Sequence, residues 1–118
     1  MVQVILSGAP SYLYTGIQCD ISVPYGLTID TWTLLADTGA QYSIGLWKDS
    51  YANYPPTSAD GMSAGGTGPY LSGTSKNTGT TSGWTGAACA YGDIIRVNVN
   101  TSDTWAKRMT LALGYHKT

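Results

Sequence analysis

The chain carries very little charge and contains neither glutamate nor phenylalanine. Charged residues make up 11% of its 118 positions, against about 25% in an ordinary soluble domain. The formal net charge is −1, and Lys107 and Arg108 are the nearest approach to a basic cluster. Because a phosphate backbone is recognised by clustered lysine and arginine, this composition argues against nucleic-acid binding.

Long apolar runs are also missing. Val4 to Leu6 is too short to act as the apolar region of a signal peptide. No segment approaches the length of a membrane span. We therefore expect the protein to be made in a cytoplasm without a signal peptide and to have no association with a membrane.

The abundant residues favour β-structure. The chain has 16 Thr, 15 Gly and five Pro, and all seven of its acids are Asp. Strands tolerate threonine well, whereas helices are usually rich in glutamate and lysine. A chain of this length can bury one core, so residues 1–118 are expected to form a single domain. We predict an all-β fold of about seven to eight strands, an antiparallel β-sandwich with the jelly-roll path.

Apolar residues alternate with polar ones along several predicted strands. Val2 to Ser7 is the first strand, and Gly8 to Ser11 ends it. In the second strand, Ile17, Cys19 and Ile21 are expected to face inward. Alternation along the later strands predicts a core that contains Tyr42, Ile44, Leu46, Ile95, Val97, Met109, Leu111 and Leu113.

Residues 27–49 are predicted to form a hairpin. The alternation changes phase near Asp30, which indicates either a bulge or a strand covered on both faces. Asp37-Thr38-Gly39 then supplies the residue types of a turn. The same triplet occurs in aspartic proteases, where two copies must meet, but between two strands a turn is the better interpretation.

The segment 57–86 is the least regular part of the chain and is rich in Gly, Ser and Thr. We predict a loop with a short strand at Pro69 to Ser72 and with Trp84 at the edge of the core. A linker between two domains is the alternative, although the remaining residues are too few for a second core.

No catalytic, metal or cofactor site is indicated, so we predict that the protein is not an enzyme. His116 is the only histidine, and it has no nucleophile motif beside it. Asp37, Asp60 and Asp93 each lie within two residues of a glycine, where they are expected to stabilise turns. Cys19 and Cys89 are far apart and lack zinc-site spacing. They could be free thiols, an intrachain bridge or an interchain bridge, and we predict free thiols because a chain assembled in a cytoplasm meets a reducing pool.

The aromatic loop that follows residue 46 is the one candidate binding site. Its residues are Trp47, Asp49, Tyr51, Asn53 and Tyr54. Aromatic faces with neighbouring amides and acids can stack on a sugar and hydrogen-bond to it. The alternative, which we favour, is that these rings pack the loop onto the end of the sandwich.

Several linked strings resemble a module of tailed-bacteriophage virion proteins. In that family a WTLLAD strand, a WKD strand and a YANYPP loop recur together. Here they are Trp32 to Asp37, Trp47 to Asp49 and Tyr51 to Pro56. The strings TGIQCDISVPYGLTI, GWT, GDIIRVNV and RMTLALGYHKT are also similar, so the resemblance runs in order over most of the chain. This sequence departs from the family pattern at Cys19 and Cys89.

The resemblance implies a β-sandwich on the outside of a virion, as in tail, fibre and head-associated proteins. We expect a structural protein of the virion surface, made in the host cytoplasm, that acts as a capsid decoration or a small fibre protein. It would form a homo-oligomer, a trimer, and contact other phage structural proteins of the capsid or tail through Met1 to Tyr14. The alternative is a receptor- or carbohydrate-binding module of a tail, which would contact a host surface glycan.

Overall fold

The computed structural model describes residues 2–7 as a strand, and residues 13–103 and 105–118 in full. Within these ranges the chain forms seven strands and two single turns of 3-10 helix, Tyr51–Asn53 and Ser58–Asp60. All strand pairings are antiparallel, so the predicted all-β class is confirmed. The strands are β1 (Val2–Ser7), β2 (Gly16–Ser22), β3 (Leu27–Asp49), β4 (Tyr70–Thr80), β5 (Ala88–Cys89), β6 (Ile94–Ser102) and β7 (Arg108–Lys117).

Strand β3, 23 residues long, organises the sheet. Residues 27–36 pair with β7, and residues 42–49 pair with β6. The sheet order is β1-β7-β3-β6-β2, while β4 pairs along the opposite edge of β3 across both halves. β3 thus joins a first half-sheet, residues 27–36 with β7 and β1, to a second half-sheet, residues 42–49 with β6 and β2. The inward side chains of both belong to one core. The sandwich and its jelly-roll path remain predictions.

The core agrees with the alternation of the sequence. All eight residues expected to be buried are at most 2% exposed. The bulge near Asp30 is also confirmed, because Ile29 pairs with Tyr115 while Thr31 pairs with Gly114, which leaves Asp30 as the extra residue. Trp84 is 8% exposed and lies in the core as predicted.

The predicted turn at Asp37 to Gly39 is wrong, because β3 continues through these residues. The pairing of β3 with β4 shifts register between Leu35 and Ala40. Oδ1 of Asp37 accepts the backbone N–H groups of Lys107 at 3.1 Å and Arg108 at 3.4 Å. The irregularity therefore bends β3 from one half-sheet into the other, and the chain does not reverse there.

The predicted loop is wrong over residues 73–80, which belong to β4. The predicted short strand at Pro69 to Ser72 overlaps only the start of that element. Leu71 is the one buried residue of β4. The strand is therefore held by its backbone pairing with β3, and apolar alternation contributes little.

The inward position predicted for Ile17 is wrong as well. Ile17 is 55% exposed, because the pairing of β2 with β6 shifts register between Ile17 and Cys19. Cys19 and Ile21 do pack against the core and are partly buried. Cys19 and Cys89 are both free thiols, and burial raises the pKa of each.

Part of the segment Met1 to Tyr14 belongs to the sheet and to the core. β1 pairs with β7 along its whole length. Leu13 is buried, and its carbonyl accepts hydrogen bonds from the Tyr42 hydroxyl at 2.8 Å and from Ser102 Oγ at 2.9 Å. The predicted break at Gly8 to Ser11 lies outside the described residues. A segment expected to contact a virion shell therefore also completes the sheet and the core.

Candidate ligand-binding groove

Two of the five predicted site residues hold their own loop in shape. Oδ1 of Asp49 accepts the backbone N–H of Ser50 at 2.8 Å and the side-chain amide of Asn53 at 3.3 Å. These bonds connect the end of β3 to the following 3-10 turn. Asp49 and Asn53 therefore shape the loop, and their contacts within it leave them less available to a ligand.

Tyr54 belongs to a separate polar cluster on the outer face of the second half-sheet. Its hydroxyl donates to Oδ2 of Asp20 at 2.6 Å, and Nη2 of Arg96 donates to the Tyr54 oxygen at 2.8 Å. Nε of Arg96 donates to Oδ1 of Asp20 at 2.8 Å. The hydrogen bonds from Arg96 hold the pKa of Asp20 below its usual value, and the bond to Asp20 raises the pKa of Tyr54. This cluster fastens the loop to β2 and β6.

Trp47 lies beside that cluster, away from Tyr51. Trp47, Arg96 and Asp20 are register partners across β3, β6 and β2. Trp47 also bridges to Gly61 of the following loop and is half-buried. The five predicted residues thus do not form one site: they divide among loop shaping, the Arg96 cluster and a groove that contains Tyr51.

That groove lies where three strands meet. Ser22 at the end of β2, Ile94 at the start of β6 and Asp49 at the end of β3 stand in one row. The chain segments that leave this row border a groove of about 800 Å³. Its lining is Ser22, Val23, Pro24, Ser50, Tyr51, Ala52, Tyr91, Gly92 and Asp93. We call it the Tyr51–Tyr91 groove.

Among the residues whose exposure the structure describes, the two tyrosines of this groove are the most exposed of the large hydrophobic and aromatic side chains. Tyr51 and Tyr91 are each 79% exposed. Within the described residues, neither hydroxyl makes a hydrogen bond. From the sequence we favoured packing of the aromatic loop onto the end of the sandwich. That interpretation accounts for Tyr54, which is fastened to the sheet, but it does not account for Tyr51. Rings that the fold leaves uncovered are available to a ligand or a partner.

The backbone under the groove is fixed by its own hydrogen bonds. The N–H of Val23 donates to the Asp93 carbonyl at 2.9 Å, and the N–H of Gly92 donates to the Val23 carbonyl at 2.9 Å. Oδ2 of Asp93 accepts the N–H of Ala90 at 2.9 Å. Gly92 has a φ of 86°, a conformation that glycine adopts without strain. The loop that carries Tyr91 is therefore held in place.

The sequence did not single out Tyr91, Pro24 or Asp93 as site residues. The available signal was a tyrosine directly before the Gly92-Asp93 turn, where a buried ring is not expected. That signal becomes useful only after Tyr51 is placed across from it, because one exposed ring in a turn is uninformative.

A second notable surface lies on the outer side of the first half-sheet. Thr33 pairs with Thr78 of β4 and Ala112 of β7, and Thr31 pairs with Thr80 and Gly114. The Thr33 and Thr78 hydroxyls are 3.2 Å apart. We call this surface the threonine face; its positions are Thr31, Thr33, Leu35, Lys76, Thr78, Thr80, Thr110, Ala112 and Gly114. Lys76 is the one charged residue among them.

His116 is placed beside Asp30, with its Nδ1 2.8 Å from the carboxylate, and both side chains are largely exposed. Asp60 stabilises a turn as predicted, by accepting the N–H of Thr57 at 2.8 Å. Among the residues that the structure describes, no group of three or more His, Cys or Asp side chains is placed to hold a metal ion. In the same residues there is no helix with the length and apolar character needed to cross a bilayer.

No known protein family, no curated protein and no solved structure matches this chain.

Proposed function

We propose that the protein is a non-catalytic structural component of the exterior of a tailed-phage particle, where it associates with copies of itself. The ordered resemblance of its strand and loop strings to phage virion proteins supports this setting. The proposed localisation is the virion surface, as a capsid decoration or a small fibre protein that forms a trimer and contacts capsid or tail proteins.

The threonine face is the observation that carries self-association. It spans three adjacent strands, its threonines are short and uncharged, and a Cβ at Gly114 would lie 2.2 Å from Oγ1 of Thr31. The hydroxyl of Thr31 therefore lies over Gly114, and no side chain projects from the sheet at that position. Extended surfaces with few charges suit contacts between subunits, because few ions lose their hydration when the surface is covered.

Introducing a charge tests this role of the face. Thr33→Lys should shift the protein from the trimer to the monomer in sedimentation equilibrium, since three lysines would be brought into a buried interface. Ala59→Lys, which adds the same charge in the exposed 3-10 turn Ser58–Asp60, should leave the trimer intact. A wild-type protein that is monomeric at all concentrations would contradict the self-association proposal.

Location is tested on particles. Antibody labelling of purified virions, viewed by electron microscopy, should place the protein on the outside of the head or tail. Hundreds of copies per particle would indicate a capsid decoration, and a handful would indicate a tail or fibre component. Absence from purified virions would refute the proposed setting.

A receptor- or carbohydrate-binding module is the second candidate. The Tyr51–Tyr91 groove is the observation that favours it, because two uncovered aromatic rings flank a space large enough for a small ligand. Such pockets usually measure roughly 300–1,000 Å³.

A further inference from the structure

We propose that the Tyr51–Tyr91 groove binds carbohydrate composed of neutral or amino sugars, with Tyr51 and Tyr91 as the stacking surfaces and Asp93 as the charged acceptor. This inference rests on the second candidate function and does not depend on where the protein lies in a particle.

The tyrosines of this protein differ in how they use their hydroxyls. The Tyr25 and Tyr115 hydroxyls bond to each other at 2.6 Å, and Tyr42 donates to the Leu13 carbonyl at 2.8 Å. Tyr51 and Tyr91 make no comparable bond within the described residues and remain 79% exposed. Their rings thus present both a free π face and a free hydroxyl. A pyranose offers the matching pair, since its C–H face packs on an aromatic ring while its hydroxyls exchange hydrogen bonds.

The polar lining of the groove selects among sugars. Ser22 and Ser50 provide hydroxyls, and Asp93 provides the only charge in the lining. Oδ2 of Asp93 is used by the Ala90 N–H, and within the described residues Oδ1 has no hydrogen bond. An ionised carboxylate only accepts hydrogen bonds, so it favours sugar hydroxyls or an ammonium group. It repels uronic acids and other anionic sugars, and no lysine or arginine lines the groove to offset that repulsion.

The same backbone argues against a peptide strand as the occupant. Addition of a strand requires free N–H and C=O groups along a sheet edge. Here the Val23 N–H, the Gly92 N–H and the Val23 and Asp93 carbonyls are already paired with one another. These paired groups are not available to a peptide strand, whereas the exposed rings and hydroxyls of the groove are available, and such groups recognise sugars.

The experiment uses the full-length protein and a printed array of oligosaccharides. The array carries neutral hexose, N-acetylated, free amino-sugar and uronic-acid glycans, together with a proline decapeptide. We expect binding to neutral or amino-sugar glycans and none to uronic acids. The dissociation constant of the strongest printed binder is then measured by titration calorimetry.

Variants of the exposed rings connect the binding to the groove. Tyr51→Ala and Tyr91→Ala should each weaken binding by about tenfold, because each removes one stacking surface. Both side chains are exposed, so the variants should keep the wild-type circular-dichroism spectrum. Tyr14→Ala is the matched control, because Tyr14 is 59% exposed and precedes the opposite end of β2; its affinity should equal that of the wild type.

Three results would overturn the inference: no printed glycan binds, uronic-acid glycans bind best, or the proline decapeptide binds in place of sugars. Equal losses in the Tyr14 and Tyr51 variants would also overturn it. Each of these results leaves the trimer and its location on the virion untouched, since those are tested by Thr33→Lys and by labelling of particles. Failure of the inference is therefore distinguishable from failure of the proposed structural role.

Discussion

Replacing two adjacent leucines of β3 should destabilise the protein by very different amounts. Leu34 is fully buried, between Leu111 of β7 and Asn77 of β4, whereas Leu35 is 45% exposed on the threonine face. Leu34→Ala removes buried methyl groups and leaves a cavity between two paired strands that cannot close easily. We expect it to lower the free energy of unfolding by about 2–5 kcal/mol, and Leu111→Ala should fall in the same range.

Leu35→Ala is the control, because the change in composition is identical and the neighbouring strands are the same. It should cost less than about 1 kcal/mol, since much of this side chain already contacts water. A loss of about 3 kcal/mol corresponds to a fall in Tm of roughly 10–15 °C for a domain of this size.

The assay is urea unfolding of dilute protein, followed by the fluorescence of the buried tryptophans Trp32 and Trp84. Dilution prevents association through the threonine face from contributing to the measured free energy of unfolding. If Leu34→Ala cost less than about 1 kcal/mol, or if the two variants were equally destabilised, the assignment of inner and outer faces along β3 would be refuted.

Two further predictions concern the charged cluster and a close approach of the backbone. Arg96 holds the folded pKa of Asp20 below its reference value of 3.8. The stabilisation that this ion pair contributes is therefore complete above pH 3.8 and is lost as the pH falls through the folded pKa of Asp20. Urea titrations at a series of pH values measure how the free energy of unfolding depends on pH. Asp20→Asn should remove the part of that dependence that comes from Asp20, and an unchanged dependence at low pH would contradict the pairing. In Gly79→Ala the new Cβ would lie 2.5 Å from the Trp32 ring, so we expect a loss of about 1–3 kcal/mol. Gly61→Ala, whose nearest atom would be 3.8 Å away, should be close to neutral in the same urea assay, and equal losses would exclude the clash.

Much of the fold could be predicted because polarity along an extended chain is a local property. Side chains alternate between the two faces of a strand, so the inward positions of β3, β6 and β7 can be identified without knowing their partners. The bulge at Asp30 was predictable for the same reason: the phase of the alternation changes within one continuous run, and a single extra residue restores it. The aromatic loop that follows residue 46 was also recognisable as an unusual polar and aromatic segment. The attachment of its Tyr54 to Arg96 was not predictable from the sequence.

The remaining features depend on contacts between distant parts of the chain. β4 carries almost no apolar alternation and exists because its backbone groups pair with β3. Asp37 does not form a turn, because it accepts amides of Lys107 and Arg108, some seventy residues later.

The groove has the same origin. Tyr51 and Tyr91 lie on separate loops, and they meet because antiparallel pairing puts the end of β2, the start of β6 and the end of β3 in one row. The loop of Tyr51 is recognisable in the linear sequence, whereas the turn that carries Tyr91 is not. Their shared chemistry appears only when the hydrogen-bonded register of the sheet brings the two rings to the same edge.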